Sequence, residues 1–371
     1  MKLTLNRILL LSAVLLVAAC AGDKPKPAPL DSITPKIAGR QIWSAKLDSV
    51  NFPLGVVVKD DHFIVAGSDG TVLSLQAETG QQAWRGQVGT KLSAGVGSDG
   101  RFAAVVTQNN ELVVLDRGAR VWSLPLTSRT VTPPLVAGER VFVVGVDRVI
   151  HAFDVLDGRR LWVHQRPGEA LTLAKPGVLA AHKDTLVAGQ GATLVGLDPT
   201  LGTVRWEVGV ASPRGTNEVE RLADLVGPIL RVGDNMCARS FQSAVGCVSL
   251  SSATLKWSRN VGGTSAVGGD AQYIYGADSS DRIRAWRAGS GDLAWAQERL
   301  LNRALSAPLV AGSTVIFGDF EGQVHFLSRD SGDAQLRLPT DGTAVVAAPV
   351  LSGLTVLVVT RGGGLFAFRP Q

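Results

Sequence analysis

Seven of the eight tryptophans stand at nearly even intervals. Trp43, Trp84, Trp122, Trp162, Trp206, Trp257 and Trp295 are separated by 41, 38, 40, 44, 51 and 38 residues. A further 41 residues lead to Leu336, which holds the same place in "SGDAQLRL". The phrases before them are also alike: "ETGQQAW", "LDGRRLW", "TLGTVRW" and "GSGDLAW". A period near forty residues means a stack or ring of one repeated supersecondary unit.

Each unit has the same internal order. "FIVAGSDGTVLSLQAETGQQAWRGQV" (63–88) alternates apolar and polar residues, turns at Ser-Asp-Gly, alternates again, turns at Glu-Thr-Gly and ends in a tryptophan strand. "LGVVVKDD" ahead of it supplies one more strand and turn. Residues 133–165 and 307–338 repeat the series, and helix-period patterns are nearly absent. Four short strands and three turns per forty residues define a β-propeller blade. Composition agrees: 45% hydrophobic residues, 42 glycines and only 19% charged residues suit short buried strands joined by tight turns.

The repeats cover 52–89, 90–126, 130–166, 173–210, 224–262, 264–298 and 304–340. "VVAAPVLSGLTVLVVTRGGGLFAFRP" then offers three more strands, and "GRQIWSAKL" (39–47) is a lone tryptophan strand without a blade. Joining the two completes an eighth blade, closes the ring over 39–371 and removes the sheet edges that favour aggregation. Seven blades with a loose terminal segment is the competing arrangement. The expected fold is thus all-β, an eight-bladed propeller of four-stranded blades. In this fold the repeated phrase is scaffolding. Glycine supplies the positive φ of the turn, and the indole packs between adjacent blades. Burying an indole covers about 150–250 Å², a gross gain of roughly 4–6 kcal/mol before entropy is subtracted.

The start of the chain is of another kind. "MKLTLNRILLLSAVLLVAAC" has a basic start, an apolar run too short to span a bilayer and then small residues, the layout of a secretory signal over 1–19. Its end resembles the bacterial lipobox, which implies acylation of Cys20. Several acyl chains, at about 0.8 kcal/mol per buried methylene, anchor stably. Ala21 in place of the aspartate common in inner-membrane lipoproteins implies the outer membrane by the same resemblance. The proline-rich 20–38 reads as an extended tether. Export implies an oxidising compartment, where Cys237 and Cys247 in "NMCARSFQSAVGCVSL" face each other across a hairpin, either bridged or as a free pair.

Motifs for chemistry are sparse. His62, His151, His164, His182 and His325 show no metal-ligand spacing, and no nucleophile-elbow, zinc-protease or P-loop string occurs. The net charge of +5 comes from scattered residues, without the basic stripe that nucleic acid requires. Quinoprotein dehydrogenases are similar in scaffold, but they hold their cofactor with an adjacent cysteine pair that this chain lacks. A propeller binding a small molecule or glycan in its central channel would need aromatic and polar groups gathered at the channel mouth. Only two tyrosines exist, and most tryptophans belong to the repeat.

A lipobox followed directly by one propeller of tryptophan-ending repeats resembles the BamB family, the propeller lipoproteins of the machinery (BAM complex) that assembles β-barrels into the bacterial outer membrane. The resemblance runs from lipobox to last blade. Its more specific part is "SPRGTNEVERLADLVGPIL" in the 51-residue interval after Trp206, similar to a family segment that runs through Arg-Leu-x-Asp. The resemblance implies a scaffold without catalysis or cofactor, fixed to the periplasmic face of the outer membrane. Its partners would be BamA, through a periplasmic POTRA domain, other BAM subunits and nascent barrel proteins. Carried across, the BamA contacts fall on Arg221, Leu222 and Asp224, and on Leu171, Leu173 and Lys175 of "LTLAKPG". This chain departs from the family at Val226, where a second acid is expected, and at Ala174, where an arginine is expected and Lys175 is the neighbouring substitute. Lysine lacks the planar fork that grips a carboxylate at two points.

Overall fold

A computed structural model of the chain describes residues 25–166, 172–213 and 215–370. The signal segment, Cys20 and Leu171 lie outside these. Strands β1 (Gly39–Lys46) to β32 (Gly364–Pro370) form eight four-stranded antiparallel sheets, with no helix among the described residues. Blade 1 shows the pattern: Val57–Lys59, His62–Ala66, Thr71–Gln76 and Gln82–Gln87, paired in sequence order from the innermost strand outward. Only the eighth blade breaks that order. There β1 is the outermost strand and pairs with β32, with Ala45 opposite Leu365, so the two ends of the chain close the ring.

The core lies in the seams. Each hydrophobic cluster joins two neighbouring blades: Phe63, Val65 and Leu75 of blade 1 pack on Leu357, Val359 and Leu365 of blade 8. Ile64, Ala66 and Val72, on the opposite faces of the same strands, pack on Val105, Val113 and Leu115 of blade 2. A middle strand covered on both sides must be apolar at successive positions, whereas the outer Gln82–Gln87 is buried only at Gly86.

The tryptophans act as directional locks. An indole on the outer strand of one blade covers the last hairpin turn of the next. Its N–H donates to a turn carbonyl at 2.8–3.0 Å: Trp43 to Ala77, Trp122 to Val155, Trp162 to Pro199, Trp257 to Ala288, Trp295 to Arg329. The turn glycine sits under the ring. A Cβ added at Gly80, Gly158, Gly202, Gly291 or Gly332 would lie 2.5–2.9 Å from an indole atom, and each has φ between 71° and 75°. Glycine is thus required twice, by conformation and by space. Trp84 faces a blade whose last turn is only Arg117-Gly118, and Trp206 packs against the cluster between blades 4 and 5, which Leu250 and Ala253 also border.

Antiparallel alternation sorts the connections onto two faces. Inter-blade loops and the second turn of each blade share one face, here the loop face; the first and third turns share the other, the turn face. The described part of the segment read as a tether is not free. Lys36 N–H donates to Gln335 O, Arg337 to Asp31 O, Ala28 N–H to Leu301 O, and Asn302 and Arg303 to the carbonyls of Lys26 and Ala28. Lacking regular pairing of its own, the proline-rich strap offers its carbonyls to these side chains. It climbs the outer edge of blade 7 from the turn face to the loop face.

Candidate partner-binding rim

The described residues singled out by resemblance lie in two successive inter-blade loops on the loop face, between β13 (Arg160–His164) and β14 (Leu179–His182) and between β17 (Val204–Gly209) and β18 (Leu225–Val232). They are held together from within. Asp224 accepts the backbone N–H of Leu173 at 2.8 Å and the Arg148 guanidinium at 2.9 Å, with side chains of Asp224 and Arg148 only 15% and 19% exposed. Gly227 N–H donates to Pro176 O at 2.9 Å, a second tie between the same loops. Asp224 is therefore a brace: it positions Leu173 instead of projecting from the rim.

Lys175 is also turned inward. Its ammonium donates to Thr264 O at 2.8 Å, near the Phe241 ring, and burial pushes its pKa down. It spans from the loop before blade 4 to the loop before blade 6. Val226 is buried on the innermost strand of blade 5, so no charge is presented there.

Outward-facing groups come from elsewhere in these loops. Leu173, Arg221 and Leu222 are half-buried, Ala174 is exposed, and Gly215–Glu220 is exposed throughout the part described. A compact turn shapes that stretch. Glu220 accepts the N–H and hydroxyl of Thr216, at 2.7 and 3.2 Å, and donates its own N–H to Asn217 Oδ1. These hydrogen bonds hold the Glu220 carboxyl below its ordinary range. Val219, at 72% exposure, is the apolar side chain the turn offers most openly. Sequence reasoning missed it; the signal was an apolar residue between two glutamates in "NEVER", where no strand could bury it.

The central channel opens on the same face. A cavity of about 650 Å³ there is lined mainly by small and apolar residues such as Ala304, Ala347 and Pro176, with Phe52 and Phe320 as its aromatics. Asp281, the acid in its lining, spends its carboxylate on the N–H groups of Ala304 and Leu305. Among the described residues no group of three or more His, Cys, Asp or Glu could hold a metal ion. Cys237 and Cys247 pair across neighbouring strands of blade 5 and form a disulfide.

Fold and repeat define an eight-bladed propeller of the PQQ-like class. A family model described as "Outer membrane protein assembly factor BamB" matches residues 33–90, 68–297 and 264–371. A Burkholderia pseudomallei protein of that name is 35% identical over 97% of this chain and 96% of its own length. A Bordetella pertussis namesake is 34% identical with the same coverage. The chain belongs to the BamB family. Among solved structures, BamB from Moraxella catarrhalis superposes with a TM-score of 0.81 at 22% identity, covering 89% of this chain and 99% of that one. A quinohemoprotein alcohol dehydrogenase from Comamonas testosteroni reaches 0.68 at 15% identity over 90% of this chain and 76% of its own, a likeness of fold alone.

Proposed function

We propose that this chain is a non-enzymatic scaffold lipoprotein of the outer-membrane β-barrel assembly machinery. Its rim loops around 168–176 and 211–227 hold a POTRA domain of BamA, and nascent barrel proteins are the clients of the assembled complex. The observation that carries this reading is the Asp224 brace. It ties Leu173 to the loop bearing Val219, Arg221 and Leu222, so two joined loops carry the apolar side chains and the charges that partner surfaces use.

Anchoring is part of the same reading. An acylated Cys20 would fix the chain to the periplasmic face of the outer membrane. The strap brings Lys26 to Asn302 on the loop face, so the chain from Lys26 back to Cys20, at about 3.6 Å per residue, reaches at most about 22 Å further. Partner rim and lipid anchor would then share one face of the disc.

The test is recovery of BamA from solubilised membranes with wild-type protein, Leu173→Asp and Val219→Asp/Arg221→Glu. Loss of BamA with folded variants supports the rim. Undiminished recovery with both would remove the rim from the reading, and no BamA with the wild type would remove the function.

A further inference from the structure

One seam of the ring has no tryptophan at all. Between blades 7 and 8 the tryptophan position is Leu336, and the turn it should cover is divided between the two ends of the chain. The register makes the correspondence explicit. Phe368 pairs with Gln41 as Leu75 pairs with Gln82, so Pro370 stands where Ala77 stands and Gly39 where Gly80 stands. In blade 1, Ala77 O receives the Trp43 N–H and Gly80 lies under the ring. In blade 8, Gly39 faces leucine: a Cβ there would lie 2.9 Å from Leu336 Cδ2.

Leucine does not fill the space an indole fills. A cavity of about 520 Å³ opens in this seam on the turn face, walled by Ile316, Phe326, Leu336, Leu338, Val356 and Phe368. Leu354, 68% exposed, stands at its mouth. The volume falls within the range of small-ligand pockets, about 300–1,000 Å³, and the walls are apolar as such pockets require. The other seams identify what fits. Five of them hold an indole on the same frame, over the turn glycine and bonded to the turn carbonyl.

We propose that the seam between blades 7 and 8 is a binding site for an indole-class aromatic group from outside the chain. Its ring lies between Leu336 and Phe368, and its N–H is directed to the Pro370 carbonyl. The ring arrives either as a free small molecule or as a tryptophan side chain of another polypeptide. The site is on the face opposite the partner rim, so it stands or falls independently of that rim.

Fluorine NMR separates the bound probe from the eight native tryptophans. The full chain is titrated with 5-fluoroindole and, separately, with a short extended peptide carrying one 5-fluorotryptophan. Saturable shift or broadening is expected with at least one probe, and the tighter one names the source. Leu336→Trp should supply the missing lock from within, raise the thermal midpoint and lose the saturable binding. Should that variant fail to fold, Leu354→Asp puts a charge at the exposed mouth and should weaken binding without unfolding the blade. No saturable response from the wild type to either probe would overturn the proposal. So would unchanged binding by folded Leu336→Trp or by Leu354→Asp.

Discussion

Removing the Asp224 carboxylate should free the loop at Leu173 while leaving the ring intact. Two charge-assisted contacts are lost in Asp224→Ala: the Leu173 N–H at 2.8 Å and the Arg148 guanidinium at 2.9 Å. Hydrogen bonds to charged groups contribute about 1.5–3 kcal/mol each, and an ion pair this little exposed adds about 1 kcal/mol after desolvation. Solvent relaxation in a surface loop offsets part of this, leaving about 2–3 kcal/mol for local opening. At 1.4 kcal/mol per tenfold, amide exchange over 172–176 should quicken by roughly 30- to 150-fold. Asp224→Asn keeps an acceptor for Leu173 and loses the ion pair, so it should fall between, at roughly fivefold. Exchange followed by mass spectrometry on the intact protein measures both, with the middle strands of blade 5 as internal control. Equal protection of 172–176 in wild type and Asp224→Ala would refute the brace. A uniform loss across all blades would refute its local character.

Two further outcomes follow from the same geometry. Gly202→Ala places a Cβ 2.5 Å from the Trp162 ring at φ +71° and should cost about 2–4 kcal/mol by urea unfolding. Gly312→Ala, at φ +58° with nothing within 4 Å, should cost only about 1–2 kcal/mol, and equal costs would dismiss the indole contact. His325 is 2% exposed beside Asp319, Arg303 and Arg337, and burial pushes its pKa below the usual 6.5. The unfolded chain therefore takes up this proton first. Stability should be full above pH 6.5 and decline below it, by at most about 1.4 kcal/mol per pH unit for one proton. His325→Gln should flatten that slope below pH 6.5, and an unchanged slope would assign the proton elsewhere. Burial pulls Asp319 upward, but its His325 and Arg303 contacts hold it below 3.8, so its contribution is lost only in more acidic solution.

Blade number and ring closure were legible in the sequence because each blade is a local object. Its four strands and three turns lie within forty residues, and the period of its apolar residues reports which strands are covered. The tryptophan phrase marked the seams for the same reason, although it did not reveal that five of the indoles lock the turn of the following blade. The candidate rim was legible only as a pair of loops. Asp224 reads as an exposed acid in "RLAD", and nothing near it announces Arg148, 76 positions earlier, or Leu173, 51 positions earlier.

Lys175 similarly gave no sign that it would reach Thr264, 89 positions away. The proline-rich strap is a sharper case. Composition reads it as an extended tether, but its described part is fastened by Arg303 and Arg337, separated from it by 275 and 306 positions. Local patterning therefore determined the modules and the ring they make, since burial on two sides is written into every strand. Which charges face inward, where the chain's beginning lies and which seam stays open were decided only when the ring closed, because those contacts join residues that sequence order keeps far apart.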